Sequence, residues 1–322
     1  MRIAVDGDTG QPLIVGDSGS WSVAELLPDV PSIGSATIAD VIAAWAEWGP
    51  RCERAISGSG PFVPGRLRRL GPPAGPAAKI VCAIDNYQDH AAEFATEVFP
   101  KPIFFLKPAT TLIGEGATVL LPRNARRVDY ELELATVIGT RCRDVRPQDA
   151  ADVIFGYTVF LDMSARDFRS IPYTWFGMKA WDTFGPIGPY VVGKRDVGEV
   201  QALRMTLTVN GETRMTGHTG DMIFSVADLV SAASEVVTLM PGDVIATGTM
   251  AGVCQAEHGD EVEAKIEGIG TLRVKVARSE AATHWHDRSF PEQYALFRDQ
   301  PCSDSGPDPI APADGGEESG WT

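Results

Sequence analysis

The 322-residue sequence has few cysteines, and they do not cluster. Its five cysteines lie far apart and form no Cys-x-x-Cys pair. This pattern predicts neither a disulfide framework nor a zinc site, and it is typical of a protein in a reducing cytoplasm. The N-terminus lacks the apolar core of a signal peptide, and no uninterrupted apolar run approaches membrane-spanning length. We therefore expect a cytoplasmic protein with no membrane partner.

Positive charge is also scarce. The sequence contains 28 Lys and Arg against 43 Asp and Glu, which gives a formal net charge of −15. Because binding to a phosphate backbone needs clustered Lys and Arg, this balance argues against a nucleic-acid partner. With 44% hydrophobic and 22% charged residues, the composition is that of an ordinary globular protein.

The chain divides at a segment rich in Gly and Pro, residues 70–76. Residues 1–75 predict a small N-terminal α/β domain, in which Thr37 caps a helix that stops or is interrupted at Gly49-Pro50. Residues 76–288, the predicted catalytic domain, consist mostly of strands and turns, so we expect an α+β fold that is predominantly β. Residues 289–322 form a C-terminal extension that is too polar to pack, with disorder expected from about residue 300.

Three carboxylates are the most informative feature of the sequence. Glu131 and Glu133 lie on a predicted strand over residues 129–138, and Asp162 follows a later strand. Because side chains alternate along a strand, the two glutamates point the same way. This strand soon becomes apolar on both faces, so the two carboxylates need a counter-charge. A hard divalent cation with oxygen ligands meets that need.

His90 and Glu93 are three residues apart in a predicted helical segment, so they share one face of the helix. The imidazole can then take a proton from water while Glu93 orients it and stabilises the imidazolium. The alternative interpretation is a histidine at the start of a helix with an incidental glutamate nearby.

Four further residues are candidates for contact with a substrate. Lys107 and Arg166 either bind a substrate carboxylate, orient the acidic cluster or form structural ion pairs. Thr249, within Ala-Thr-Gly-Thr, either offers a hydroxyl or a backbone N–H to a substrate carboxylate or belongs to a turn. Tyr87 either lines the site or belongs to the core.

Eight motifs, in order along the chain, resemble the fumarylacetoacetate hydrolase family over roughly residues 79–276. They begin at Asn86-Tyr-Gln-Asp-His, Phe105-Leu-Lys-Pro-Ala-Thr, Asp129-Tyr-Glu-Leu-Glu, Leu161-Asp-Met-Ser-Ala-Arg-Asp, Lys179-Ala-Trp-Asp-Thr-Phe-Gly-Pro, Val209-Asn-Gly-Glu, Asp221-Met-Ile-Phe and Pro241-Gly-Asp-Val-Ile-Ala-Thr-Gly-Thr. The resemblance implies a mixed β-sandwich roll and a homodimer. It also implies Mg²⁺ or Mn²⁺ as the cofactor, held by Glu131, Glu133 and Asp162. Finally, it assigns water activation to His90 and Glu93 on a mobile lid, and charge stabilisation at the substrate to Lys179.

An ion held by three carboxylates keeps open positions that suit the carboxylate and keto oxygens of a 2-oxo acid. Breaking the C–C bond beyond the ketone leaves an enolate, which a cation stabilises. The favoured prediction is therefore hydrolysis of an acylpyruvate or related β-diketo acid. Decarboxylation of an oxaloacetate-like acid, isomerisation of a 2-hydroxy-dienoate and hydration stay open on the same residues. A non-catalytic metabolite-binding protein is the remaining alternative.

Overall fold

The structure of the protein, a computed structural model, describes residues 1–17, 19–58, 70–168 and 175–281. The predicted C-terminal extension, with its predicted disorder, lies outside the described residues. Strands outnumber helices in the described parts of the chain, which confirms the α+β, predominantly β fold class.

Among the described residues, the strands form three sheets. The strands are β1 (Arg2–Asp6), β2 (Pro12–Gly16), β3 (Gly19–Ser22), β4 (Leu70–Gly71), β5 (Ile80–Ala83), β6 (Phe104–Lys107), β7 (Leu112–Ile113), β8 (Thr118–Leu121), β9 (Val128–Tyr130), β10 (Leu132–Ile138), β11 (Ile154–Leu161), β12 (Ser164–Ala165), β13 (Gly185–Gly193), β14 (Arg204–Val209), β15 (Glu212–His218), β16 (Val244–Thr249), β17 (Cys254–Gln255), β18 (Glu261–Ile266) and β19 (Gly270–Arg278). The main sheet has the order β3-β2-β1-β13-β11-β10-β16-β5-β6, with β4 beside β1 and β7 beside β13. The two smaller sheets are β12-β9-β17 and β15-β14-β18-β19-β8.

Strand β10 lies within the main sheet and separates two hydrophobic cores. Leu132 and Leu134 pack into one core, whereas Ala135 and Val137 pack into the other. This confirms the predicted alternation of faces along the carboxylate strand. Because both faces are covered, any charged side chain at this level of the sheet is withdrawn from water.

The N-terminal segment continues the main sheet. Strand β1 pairs antiparallel with β13, with Ile3 opposite Val191, and β4 returns to pair with β1. Ile3 and Val41 share one core with Val137 of β10. The small N-terminal unit therefore supports the sheet from which the carboxylates project.

The helices are short, apart from two of them. They are α1 (Val23–Leu26), α2 (Ile38–Ala43), α3 (Trp45–Gly58), α4 (Gln88–Glu93), α5 (Ala150–Val153), α6 (Phe176–Lys179) and α7 (Val226–Val236). No helix in the described ranges is both long and apolar enough to cross a membrane.

The helix predicted after Thr37 begins as expected but ends at a different residue. Thr37 caps α2 through a capping box with Asp40, as predicted. The predicted stop at Gly49-Pro50 is wrong, because α3 continues through Pro50. The chain instead breaks at Ala44, and the next residue, Trp45, packs edge-on against Phe155 with ring centroids 5.3 Å apart. The break therefore lies next to a packing contact between distant segments.

Three of the four described cysteines are free thiols. Cys52 and Cys82 are buried, Cys142 is partly buried, and all three are free. Cys254 is disulfide-bonded, and the fifth cysteine, Cys302, lies outside the described residues.

Candidate active site and metal centre

The three predicted metal ligands converge at one end of two adjacent central strands of the main sheet, β10 and β11. The predicted continuous strand over 129–138 is in fact interrupted at Glu131, where the chain leaves the small sheet (β9) for the main sheet (β10). Glu133 is the second residue of β10, and Asp162 directly follows β11, the neighbour of β10. One ligand oxygen from each carboxylate lies within 4.8 Å of the others, and all three side chains are buried.

Two lysines hold the carboxylates together. Lys179 Nζ donates to Glu131 Oε2 and to Asp162 Oδ2, at 2.7 Å in each case. Lys107 Nζ donates to Asp162 Oδ1 and to the carbonyl of Met163, the latter at 3.3 Å. Burial would lower the pKa of Lys179, but Asp162 and Glu131 raise it above its ordinary value. Lys179 is therefore buried between two carboxylates that both accept from it.

An arginine pair and a buried aspartate support Glu131 from the other side. Arg166 donates from Nε to Asp129 at 2.8 Å and from a terminal nitrogen to Glu131 Oε1. Arg127 Nε also donates to Asp129, at 2.8 Å, and Asp129 is fully buried. Sequence reasoning gave Asp129 and Arg127 no role. The only signal was spacing, since Asp129 precedes Glu131 and Glu133 in steps of two residues.

Glu133 has a different environment from Glu131. Its Oε2 accepts a hydrogen bond from the Gly248 backbone N–H at 2.8 Å, and none of the described lysines and arginines forms an ion pair with it. Burial, then Asp162 and Glu131, raises the pKa of Glu133 well above its ordinary value. Although burial opposes it, Lys179 and Arg166 lower the pKa of Glu131. Three converging oxygen donors, one without a cationic partner, fit a hard divalent cation such as Mg²⁺ or Mn²⁺.

Gly248 can approach Glu133 because it has no side chain. Its φ is +87°, which favours glycine, and a Cβ there would lie 2.9 Å from the Asn86 Cβ. The glycine of the Ala-Thr-Gly-Thr motif is therefore needed for the hydrogen bond to Glu133.

His90 projects from α4 toward the same site. Its Nδ1 lies 3.5 Å from Glu93 Oε2, and its Nε2 lies 3.9 Å from Asp85 Oδ1. Glu93 also accepts from the Gly252 N–H at 3.2 Å, which anchors the end of the helix. The predicted shared face of His90 and Glu93 is thus present, with a carboxylate on each side of the imidazole.

A cavity of about 400 Å³ opens in front of these groups. Its polar lining includes His90, Glu131, Glu133, Asp162, Arg166, Lys179 and Thr249. Its apolar lining includes Phe94, Phe99, Ile103, Phe105 and Trp175. A cavity that joins converging charged groups to apolar surface is the usual form of a small-molecule site.

Three candidate residues lie behind the cavity wall. Tyr87 is fully buried in the hydrophobic core, with its hydroxyl 3.7 Å from the Met205 sulfur. The Lys107 side chain is fully buried and forms an ion pair with Asp162. These positions favour the core interpretation for Tyr87 and the ion-pair interpretation for Lys107 over contact with a substrate. Glu93 stands behind His90, in the position of a partner to the imidazole.

Known proteins resemble this chain in sequence and structure. Residues 79–277 match the family model described as fumarylacetoacetate (FAA) hydrolase, C-terminal. The mitochondrial oxaloacetate tautomerase of Homo sapiens is 39% identical over 207 residues, which is 62% of this chain and 92% of the relative.

Two solved structures share the fold. The 2-hydroxyhepta-2,4-diene-1,7-dioate isomerase from Mycobacterium marinum is 40% identical, with a TM-score of 0.62 over 69% of this chain and 83% of its own. The maleylpyruvate hydrolase from Sphingobium sp. SYK-6, in complex with manganese(II) and pyruvate, is 31% identical, with a TM-score of 0.73 over 87% of this chain and 100% of its own. The matched residues 79–277 include every candidate site residue, and the chain belongs to the fumarylacetoacetate hydrolase family of enzymes.

Proposed function

We propose that the protein is a Mg²⁺- or Mn²⁺-dependent hydrolase that cleaves a C–C bond in an acylpyruvate or related β-diketo acid. The observation that carries this proposal is the position of His90, which lines the same cavity as the carboxylate triad and is backed by Glu93. The manganese and pyruvate bound to a maleylpyruvate hydrolase of the same fold support it.

The buried charges prepare one end of the cavity for a 2-oxo acid. Glu131, Glu133 and Asp162 would hold the ion, which would supply Lewis-acid stabilisation of an enolate oxygen. Lys179 places a fixed positive charge at the same wall, 2.7 Å from two of the carboxylates. Because these groups are held by one another before substrate arrives, little reorganisation is needed as the enolate charge develops.

His90 would activate the water. Its Nε2 takes a proton from water while Nδ1 faces the Glu93 carboxylate, which stabilises the imidazolium. The water oxygen attacks the distal carbonyl carbon, and the bond between that carbon and the methylene carbon breaks. The bonding electrons form the enolate of pyruvate. Its methylene carbon then takes a proton from His90, which leaves pyruvate and a carboxylic acid.

A tautomerase or isomerase is the second candidate function. A 39% identical relative is an oxaloacetate tautomerase, and a 40% identical structure is a dienedioate isomerase. Both reactions move a proton to or from carbon in the enol or dienol of a 2-oxo acid, which His90 could do without a nucleophilic water. Decarboxylation would form the same enolate.

Substitution of His90 tests the proposal. We expect His90→Ala to lower pyruvate release from acetylpyruvate roughly 10²–10⁴-fold, because general-base catalysis is lost, and to leave Mg²⁺ affinity nearly unchanged. His258→Ala is the control, since His258 is exposed and lies outside the cavity lining. Steady-state kinetics and calorimetric Mg²⁺ titration give the two readouts. Hydrolysis by His90→Ala at the wild-type rate would reject the His90 mechanism.

A further inference from the structure

Among the described residues that line the cavity, the positively charged side chains lie at one end. Arg166 and Lys179 are the lysine and arginine residues in that lining. Both are already paired with buried carboxylates, Arg166 with Glu131 and Lys179 with Glu131 and Asp162. One substrate carboxylate, that of a 2-oxo acid head, meets these cations beside the triad. A second carboxylate farther along would meet none among the described residues.

Aromatic side chains continue from that end of the cavity. Phe105 contacts Lys179, whose Nζ lies 5.2 Å from the ring centroid. Phe105 also stacks on Trp175, with centroids 5.3 Å apart and planes 12° from parallel. Phe99 and Ile103 add further apolar lining. Phe99, Ile103, Phe105 and Trp175, here called the apolar wall, offer surface on which an uncharged group loses contact with water.

The remaining charged groups of the lining are acidic. Glu97 is exposed and Asp85 is half-buried, and both line the cavity. Asp85 Oδ1 lies 3.9 Å from His90 Nε2, whereas Glu97 is two residues from Phe99 of the apolar wall. A second substrate carboxylate beside that wall would therefore be repelled by Glu97. An uncharged group would meet no such cost.

We propose that the substrate carries an uncharged apolar group, aromatic or bulky alkyl, beyond its 2-oxo acid head, and that this chain discriminates against a second carboxylate there. The proposal deepens the proposed function and rests on its 2-oxo acid site. Trp175 and Phe99 contact the apolar group, and Glu97 disfavours the dicarboxylic alternative. The reaction that supplies the substrate would therefore produce a monocarboxylic 2-oxo acid with an apolar tail.

Binding of two matched 2-oxo acids tests this without turnover. 4-Phenyl-2-oxobutanoate and 2-oxoglutarate share the same head and chain length, but one ends in a phenyl ring and the other in a carboxylate. Titration of the Mg²⁺-loaded protein should give an affinity for the phenyl compound about tenfold higher or more. Equal or tighter binding of 2-oxoglutarate, or binding of neither compound, would overturn the proposal. Because neither compound contains the β-diketo bond, a failure of hydrolysis in the acetylpyruvate assay is a separate result.

Two variants test which residues distinguish the phenyl compound from 2-oxoglutarate. Glu97→Lys should strengthen 2-oxoglutarate binding several-fold and leave the phenyl compound little changed, whereas Glu280→Lys, at an exposed position outside the cavity, should change neither. Trp175→Ala should weaken the phenyl compound about tenfold while pyruvate binding persists, which shows that the variant is folded. An unchanged affinity ratio in both Glu97→Lys and Trp175→Ala would contradict the assigned wall.

Discussion

At the scale of single residues, the two glutamates of the triad have opposite electrostatic environments. Glu131 accepts from Lys179 and Arg166, whereas Glu133 accepts from the backbone of Gly248. A buried charge is tolerated when it is paired and costs free energy when it is not. Glu131 is therefore satisfied by the protein itself, and Glu133 is the carboxylate that most needs an added cation.

Charge removal at the two positions should affect the metal-free protein differently. Glu131→Gln leaves buried cations short of a partner, so we expect the free energy of unfolding to fall by about 3–5 kcal/mol. Glu133→Gln should leave it unchanged or raise it. Urea unfolding in EDTA measures both. Each variant should also lose the stabilisation that Mg²⁺ gives the wild type. A larger fall in the free energy of unfolding of the metal-free protein in Glu133→Gln than in Glu131→Gln would contradict this account of the pairing.

Metal binding should release a proton from Glu133. Because burial, with Asp162 and Glu131 nearby, raises the pKa of Glu133 well above its ordinary value, the ion must displace a proton at any pH below that raised pKa. Mg²⁺ affinity should therefore rise with pH until the pH exceeds that pKa. Calorimetric titration in buffers of different ionisation enthalpy reports the protons released. Binding without proton release, at an affinity that does not change with pH, would show that Glu133 is already ionised and contradict this account.

At the scale of elements, the sequence predicted the features that depend on neighbouring residues and missed those that depend on contacts between distant segments. The alternation along β10 and the Thr37 cap follow from the sequence because each depends on neighbouring residues. The break at Glu131 was not predictable, since it arises where β9 and β10 pair in different sheets. The bend at Ala44 likewise lies next to the contact between Trp45 and a distant phenylalanine.

Asn86 joins three elements behind the site. Its side-chain amide donates to the Phe224 and Thr247 carbonyls at 3.0 and 2.8 Å and accepts from the Phe224 N–H at 2.8 Å. Asn86→Ala leaves these buried groups without partners, so we expect stability to fall by about 3 kcal/mol. Chemical denaturation measures the loss, with exposed Gln88→Ala as the control. A change below about 1 kcal/mol would mean that the amide is dispensable.

At the scale of the whole molecule, the N-terminal strands and the catalytic residues belong to one sheet. The cores on its two faces hold β10 and β11 rigidly, and the carboxylates lie where those strands end or begin. The triad was predictable because its spacing is local and the family motifs are ordered. The positions of Tyr87 and Lys107 were not predictable, because the sequence does not show which side of the carboxylates a buried side chain occupies. The homodimer stays a prediction.

The central claim, hydrolysis by water at the distal carbonyl, is tested most directly with isotopic water. The protein is incubated with acetylpyruvate and Mg²⁺ in ¹⁸O-labelled water, and acetate and pyruvate are analysed by mass spectrometry. The account predicts equal amounts of both products, with a solvent ¹⁸O added to acetate at the cleaved carbon, and loss of both products in EDTA. Interconversion of the keto and enol forms without acetate would contradict it and favour a tautomerase.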